Sequence, residues 1–336
     1  MKVLFTGDFS SDNGPGMANK MLRAGLKSNK DAIFLKCSNQ YTRLLEIFVK
    51  LFFVKSVCLC SATFENKFVI FFAKVMHKKI FYIMHGFFEK EFELNDVSNQ
   101  DPNKEKYLNY EDYIFRKVDK IFCVSKSFMN YMKQEKPLFS DKFDYSFNGI
   151  DISYFNSMLS KINTGKRNKN QILSIGGGMP QKNNLAVCEA ISFLNTHKGF
   201  NLKYVIIGKP YSDKDFIIKY DFVEYYDYLP HDEVIRCMQE SNLYVQNSTF
   251  ETFGIAPVEA VLSGCQVLLS SKIGALDIFN NVEESQVIFD TNDYLEISEK
   301  IERLIIDKNK RVIESNIDKI CHLNTAQTLW RKINNF

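Results

Sequence analysis

The chain has 336 residues, of which 45% are hydrophobic and 25% are charged. This composition is typical of folded globular proteins and excludes a disordered chain, and the length predicts two domains. The net charge of +3 is too small to predict nucleic-acid binding, which requires a strongly basic surface.

The charge is unevenly distributed between the two halves. Residues 1–150 contain 23 Lys and Arg against 17 Asp and Glu, a net charge of +6, whereas residues 151–336 have a net charge of −3. A basic amino-terminal half favours contact with an anionic membrane surface. Chance scatter of charge is the alternative explanation.

The eight cysteines indicate a reducing, cytoplasmic compartment. Several lie in apolar runs such as Val57–Cys60, where a free thiol behaves as a small hydrophobic side chain. Their spacing matches neither a zinc site nor a disulfide framework. The first residues resemble a strand entering a loop, so no signal peptide is expected, and no apolar run is long enough to predict a transmembrane helix.

Short apolar runs alternate with longer stretches in the first half of the chain. Runs of this length are typical of parallel strands that are buried on both faces. The alternation predicts an open, doubly wound α/β sheet. The predicted strands are Val3–Thr6, Ala32–Leu35, Val57–Cys60, Ile80–Met84 and Ile121–Val124.

The stretch Tyr41–Lys55 is both apolar and basic. It predicts either an amphipathic helix at a membrane surface, with lysines reaching the lipid head groups, or a crossover helix packed on the core. Its position after the second predicted strand favours the packed helix.

The strand pattern restarts after a polar segment, Ser160–Gln171, which predicts an interdomain linker. Two such halves predict two Rossmann-like domains with a cleft between them, where ligands bind beyond the carboxyl ends of the strands. The later predicted strands are Ile172–Ile175, Tyr204–Ile207, Leu243–Gln246 and Val267–Leu269.

The segment Phe250–Ala260 predicts an anion site. Pro257 suits the first turn of a helix, since its missing N–H would be unpaired there, and Gly264 suits the end of that helix. The amino terminus of this helix should present free N–H groups to an anion. Glu251 and Glu259 flank the site, and a carboxylate can accept hydrogen bonds from a pair of sugar hydroxyls.

A glycine-rich turn, Gly176–Lys182, follows the first strand of the second half. Glycines allow a backbone to approach a phosphate, and Lys182 supplies a positive charge. The spacing does not match an ATP-binding P-loop.

Two further loops lie at the carboxyl ends of predicted strands in the first half. The loop Asp8–Ala18 contains Gly14 and Gly16 but not the glycine spacing of a dinucleotide fingerprint, which disfavours a dehydrogenase. His85 follows the fourth predicted strand, where it would either orient a ligand hydroxyl or serve a structural role.

Together these segments resemble glycosyltransferase family 4, which has the two-domain GT-B fold. The resemblance runs through most of the chain in order, and its most specific parts are Asn148–Asp151 and the two glutamates seven residues apart. The segments are Gly14–Gly16, His85–Gly86, Asp119–Ser125, Phe147–Asp151, Gly176–Lys182 and Phe250–Ala260.

The resemblance implies roles for individual residues. Those implied to act in catalysis are Lys182, which binds the donor diphosphate, Glu251 and His85. Those implied to bind the donor are Gly16, Gly178, Phe253, Gly254, Ile255 and Glu259, the last holding the ribose hydroxyls. Many members have an arginine at the position of Gly177, and this chain departs from that pattern.

The implied activity is transfer of a hexose-type sugar, with retention of configuration, from a nucleotide-diphosphate sugar to a glycan acceptor. Neither a cofactor nor a metal is expected. Residues 1–160 would bind the acceptor, with a helix at about 322–336 packing back on them, and residues 161–321 would bind the donor. The acceptor is expected to be polyprenyl-diphosphate-linked, in bacterial O-antigen or capsule synthesis at the inner face of the plasma membrane.

Two other functions remain open. A nucleotide-sugar 2-epimerase has a similar fold and needs no acceptor. A catalytically weak subunit that binds a nucleotide sugar would also explain the missing arginine.

Overall fold

The chain forms two compact units. The computed structural model describes residues 1–11, 13–37, 39–63, 65–95, 101–161, 167–306 and 314–336. The first unit comprises Met1–Glu89, Pro102–Ile152 and Ile317–Phe336, and the second comprises Lys90–Asp101 and Ser153–Asn316. Residues from near both ends of the chain therefore build the first unit.

A six-stranded parallel sheet forms the core of the first unit, in the order β2-β1-β3-β4-β5-β6. The strands β1 and β3 are buried along their whole length, which explains their nearly continuous apolar sequences. The strands are β1 (Val3–Thr6), β2 (Ala32–Phe34), β3 (Ser56–Leu59), β4 (Lys79–Met84), β5 (Lys120–Cys123) and β6 (Phe143–Tyr145).

Helices connect these strands, and three of them begin at side-chain caps. Asn13, Asn39 and Ser125 each accept a hydrogen bond from a first-turn amide, which satisfies a donor with no partner inside the helix. The helices are α1 (Gly14–Gly25), α2 (Gln40–Leu51), α3 (Asn66–Val75), α4 (Phe88–Leu94), α5 (Lys104–Lys117) and α6 (Lys126–Glu135). The next helix, α7 (Ile152–Lys161), follows β6, and its residues 153–161 belong to the second unit, as do residues 90–94 of α4.

The second unit has its own six-stranded parallel sheet, in the order β13-β11-β10-β7-β8-β9, and a two-stranded antiparallel pair, β12-β14. The strands are β7 (Asn168–Ile175), β8 (Lys203–Ile207), β9 (Val223–Tyr226), β10 (Ser241–Gln246), β11 (Gln266–Ser270), β12 (Phe279–Asn280), β13 (Val287–Ile288) and β14 (Glu314–Ser315). The helices are α8 (Asn184–His197), α9 (Lys214–Ile217), α10 (His231–Glu240), α11 (Ile255–Leu262) and α12 (Tyr294–Ile306).

Two helices at the end of the chain, α13 (Ile317–Ile320) and α14 (His322–Asn334), belong to the first unit. The helix α14 packs tightly on α1, because a Cβ atom on Gly25 would lie 2.4 Å from the His322 carbonyl oxygen. Lys332 Nζ forms a 2.7 Å ion pair with Asp144, next to the carboxyl end of the sheet.

The predicted α/β fold with two doubly wound sheets is confirmed. The polar segment Ser160–Gln171 was predicted to be an interdomain linker, but its last residues, from Asn168 onward, form the start of β7. Residues 162–166 of that segment lie outside the described residues. None of the described helices is long and apolar enough to cross a membrane.

The helix α2 combines features of both interpretations of its sequence. Ile47 and Leu51 are fully buried, so the helix packs on the core as favoured. Leu45, Val49 and Phe52 are 48–65% exposed on the same helix. One face of α2 is therefore apolar and uncovered.

Candidate active site

An ion pair between Lys182 and Glu251 lies where β7 and β10 end. Lys182 closes a 3₁₀ turn that follows β7, and its Nζ donates to Glu251 Oε2; each side chain is 17% exposed. Gln246, the last residue of β10, donates to the same oxygen at 3.2 Å. The pair thus places an ammonium group at the edge of a parallel sheet where ligands bind.

The glycine turn before Lys182 is shaped by packing. The Gly176 and Gly177 amides donate to the Ile207 carbonyl at 2.8 and 3.2 Å, and the Gly178 amide donates to the Lys209 carbonyl at 3.0 Å. All three amides are therefore bonded to the end of β8. Gly178 lies close to the site, but a contact between Gly178 and the donor stays a prediction.

Gly176 also makes room for the catalytic candidate. A Cβ atom at this position would lie 2.5 Å from Lys182 Cγ, and the φ of Gly176 is +130°. The Lys182 side chain therefore extends across the space that a side chain at 176 would occupy.

Gly177 has no room for an arginine. Its φ is +62°, and a Cβ atom would lie 2.2 Å from the Lys209 carbonyl oxygen and 2.5 Å from the Gly208 carbonyl carbon. The Gly177 carbonyl accepts a 2.7 Å hydrogen bond from Asn184 Nδ2, which holds the turn in place. The departure at this position is thus a difference in backbone packing as well as the loss of a cation.

The helix α11 begins beside the ion pair. Its N-cap is Gly254, with a φ of +88°, and a Cβ atom there would lie 3.2 Å from Glu251 Cγ. Gly254 has no side chain that could cap the helix. We therefore expect the amides of Ile255 and Ala256, the first two helical residues, to be able to bind an anion. Phe253 is buried and anchors this turn, and Ile255 is the first helical residue.

Glu259 lies in the second turn of α11 and pairs with His231. His231 Nε2 is 3.0 Å from Glu259 Oε1, and the Glu259 side chain is 15% exposed. Burial raises the pKa of Tyr244 well above its usual range, and the charges of Glu251 and Glu259 raise it further. Both carboxylates therefore lie near one buried tyrosine of β10.

The pairing with Glu259 makes His231 a source of pH-dependent stability. The hydrogen bond to Glu259 raises the pKa of His231 above its ordinary 6.5. At a pH just above 6.5, the folded protein therefore binds more protons than the unfolded chain. The stabilisation from the His231–Glu259 pair is complete below the unfolded pKa and is lost as the pH rises through the folded pKa.

We expect the melting temperature of the native protein to exceed that of His231→Gln most at about pH 6, with the difference shrinking by about pH 8.5. Melting curves across this range would measure it. In a Glu259→Gln background the same substitution should have no pH-dependent effect, and a persisting dependence would assign it to another group.

In the first unit, His85 contacts Asn19 of α1, and Gly16 lies in the same helix. His85 Nε2 is 3.1 Å from Asn19 Oδ1, while Asn19 Nδ2 donates to the Asp8 and Cys60 carbonyls. Because the Asn19 amide nitrogen is committed as a donor, His85 Nε2 must carry the proton in this bond. Burial lowers the pKa of His85 to about 4, so the imidazole is neutral at pH 7.

Gly16 lies one turn before Asn19 in α1. Its amide donates to Asn13 Oδ1 at 2.9 Å, and a Cβ atom on it would lie 2.1 Å from Ser11 Oγ. Glycine is required here for close packing with the preceding loop, and the predicted contact between Gly16 and a phosphate stays a prediction.

The segment Asn148–Asp151 contacts the terminal helices of the first unit. A Cβ atom on Gly149 would lie 2.5 Å from His322 Cα, and the Ile150 amide donates to the Ile320 carbonyl at 2.7 Å. This segment therefore docks the terminal helices. The adjoining cavity, lined partly by His85 and Asn148, measures about 30 Å³ and has room for one water molecule.

The predicted residues thus fall into two groups. Those gathered at the carboxyl edge of the second sheet are Gly178, Lys182, Glu251, Phe253, Gly254, Ile255 and Glu259; Gly16 and His85 lie in the first unit. Gln246 and His231 also belong to the site of the second unit and were not predicted. Gln246 could have been identified from the sequence, because it is a polar residue at the end of a buried strand.

Across the described ranges, no cluster of His, Cys, Asp and Glu could hold a metal ion.

Residues 158–317 match the family model described as glycosyl transferases group 1. Over these residues, which are fewer than half of the 336, the chain is similar to a group 1 glycosyltransferase domain. By this domain the chain is a glycosyltransferase, and Lys182, Glu251 and Glu259 all lie within the matched residues. No curated protein sequence matches the chain.

Solved structures share the fold of this glycosyltransferase over its full length. Anabaena HepE in complex with UDP-glucose is 13% identical, with a TM-score of 0.69 and all of both chains covered. The lipopolysaccharide outer core galactosyltransferase WaaB is 12% identical, with a TM-score of 0.66, covering 100% of this chain and 99% of that chain. The trehalose-6-phosphate synthase OtsA is 10% identical, with a TM-score of 0.65 and the same coverage. These likenesses establish the GT-B fold.

Proposed function

We propose that this glycosyltransferase is a retaining enzyme of family 4 that transfers a hexose-type sugar from a nucleotide-diphosphate sugar to a glycan acceptor. The observation that carries the proposal is the position of Lys182 beside the glycine-capped start of α11. A lysine and a helix amino terminus together form a site for a pyrophosphate.

Negative charge builds on the departing phosphate oxygen as its bond to the anomeric carbon breaks. Lys182 Nζ and the first amides of α11 would stabilise that charge without a metal ion. Glu251 is the partner of Lys182, and a bound pyrophosphate would replace it as the partner of the ammonium. Glu251 would then be free to contact the donor sugar.

The acceptor hydroxyl oxygen would bond to the anomeric carbon on the face from which the nucleoside diphosphate leaves. Its proton would pass to the departing phosphate oxygen, so no covalent nucleophile is needed. His85, neutral at pH 7, would orient the sugar or the acceptor hydroxyl by hydrogen bonding. In this proposal the domain at residues 1–160, together with the helix at about 322–336, binds the acceptor, and the domain at residues 161–321 binds the donor.

We further propose a polyprenyl-diphosphate-linked acceptor in bacterial O-antigen or capsule synthesis, at the cytoplasmic face of the plasma membrane. Two proteins of the same fold support this class of reaction: WaaB is a lipopolysaccharide outer core galactosyltransferase, and HepE binds UDP-glucose.

The test begins with a screen of nucleotide sugars for a rise in melting temperature, followed by transfer assays with the best donor. Transfer with retained configuration, with no epimer formed when acceptor is omitted, is the expected result. Accumulation of an epimerised donor without acceptor would favour the 2-epimerase instead. Donor binding without transfer to any acceptor would favour a catalytically weak subunit.

Glu259→Gln should weaken donor binding roughly tenfold, because a charged acceptor for the ribose hydroxyls is lost. Titration calorimetry with the identified donor would measure the change. Glu296→Gln is the matched control, since Glu296 is also held in an ion pair and is 19% exposed. If Glu259→Gln binds the donor with unchanged affinity, Glu259 does not bind the ribose hydroxyls.

A further inference from the structure

The helices α2 and α3 of the first unit present a continuous apolar surface, which we call the α2–α3 face. Its side chains are 48–67% exposed, although large aliphatic and aromatic residues are usually buried. They are Leu45, Val49, Phe52, Phe53, Phe71 and Val75.

Aromatic contacts join the two helices into one surface. The rings of Phe48 and Phe52 lie 5.3 Å apart, and Phe48 of α2 contacts Phe72 of α3 at 5.0 Å. Phe72 in turn lies 5.1 Å from Phe71. The exposed Phe52 and Phe71 are therefore linked through two partly buried rings, and the α2–α3 face is not a scatter of separate side chains.

The charges of the segment that contains this face are mostly basic, although Asp119, which lies outside the segment, pairs with Lys74 of α3 at 3.3 Å. Residues 40–80 contain seven Lys and Arg but only two carboxylates, Glu46 and Glu65. Both glutamates are 13–15% exposed and form ion pairs with basic residues of α2. Lys55 and Lys79, which follow α2 and α3, are exposed where the adjacent strands β3 and β4 begin.

We propose that the α2–α3 face docks this protein on a membrane that is rich in anionic lipid. Its apolar side chains would enter the boundary between head groups and acyl chains, while the lysines contact the head groups. A symmetric dimer through the same face would bring two basic patches of like charge together, which is unfavourable. The inference rests on surface residues and is independent of the transfer reaction.

Sedimentation with vesicles tests the proposal on the full chain. The native protein should bind vesicles of phosphatidylcholine with about 30% phosphatidylglycerol, bind phosphatidylcholine alone more weakly, and dissociate as salt rises to about 0.5 M. Phe52→Ser with Phe71→Ser should lower the partition coefficient on the mixed vesicles roughly a hundredfold, or about tenfold for each ring.

The control is Phe216→Ser with Phe289→Ser, because these phenylalanines of the second unit are each 55% exposed. It should bind vesicles like the native protein. Leu45→Ser with Val49→Ser gives a second test on the same face, and melting curves would confirm that every variant folds. Sugar transfer between soluble substrates should be unchanged in all of these variants. Loss of vesicle binding can therefore be distinguished from loss of transfer activity.

Three results would overturn the proposal. The first is that the native protein sediments with neither kind of vesicle, and the second is that the two face variants bind as well as the native protein. A native dimer that becomes a monomer in the face variants, without vesicle binding, would assign the face to a second copy of the chain.

Discussion

Replacement of Lys182 with alanine should lower turnover by roughly 10²–10³-fold, the usual effect of losing one group that stabilises a developing anion. The lysine ammonium is the cation that the structure places beside the start of α11. Its contribution should be larger in the transition state than in the bound donor, because charge on the leaving oxygen grows as the bond breaks. Initial-rate measurements at saturating donor would give the change in kcat.

Two further variants make this result specific. Lys203→Ala removes an exposed lysine from the amino end of β8, on the opposite edge of the same sheet, and should leave turnover unchanged. Lys182→Arg keeps the charge and should retain more activity than the alanine variant. Unchanged kcat in Lys182→Ala, with a normal melting temperature, would exclude Lys182 from the mechanism.

Gly177→Ala is expected to destabilise the protein by about 3 kcal/mol or more, since the methyl group adds overlap with the backbone of the β8 turn to the cost of a left-handed conformation. The 2.2 Å approach to the Lys209 carbonyl oxygen leaves no room for a small rearrangement of side chains alone. For a unit of this size the melting temperature should fall by roughly 6–12 °C.

Gly199→Ala is a matched control for this prediction. Gly199 lies in the same unit with a φ of +72°, and no atom lies within 4 Å of its added Cβ atom. It should cost only about 1 kcal/mol, from backbone conformation alone. Equal melting temperatures for the two variants would contradict the packing explanation. The same packing predicts that Gly177→Arg will destabilise the protein before it can aid donor binding.

The fold was largely predictable because its central strands are buried on both faces. The run Val3–Thr6 has the bounds of β1, and the other predicted runs each overlap an observed strand. In each six-stranded sheet, the unpredicted strands lie at an edge: β6, β9 and β13. An edge strand is exposed on one side, so it tolerates residues such as Asp144 in β6 and Glu224 in β9, and the apolar pattern disappears.

The candidate site was predictable only where one short segment contains its parts. Glu251, Gly254 and Glu259 lie within nine residues of one another around the start of α11, so their order in the sequence already indicated the arrangement. The pairing of Glu259 with His231 joins two helices across 28 residues. No local pattern predicts such a contact, because it depends on how α10 and α11 pack.

The glycine turn illustrates a second limit. A run of glycines after a strand is compatible with a close approach to phosphate and equally with a close approach to another chain segment. Gly208, whose backbone contacts Gly177, is about thirty residues away in sequence. Only the tertiary structure therefore shows that these glycines approach another segment of the chain.

The terminal helix α14 determines when the first unit can be completed during synthesis. Its residues contact Gly25 and Gly149, and the ring of Trp330 stacks on Phe5 of the first strand at 6.4 Å. These contacts join the first strand to residues that are synthesised after the second unit, so the second unit can fold while the first still has an open apolar side. Nascent chains of this protein should therefore depend on chaperones until residues 317–336 emerge, and a stop codon before them would damage the amino-terminal unit most.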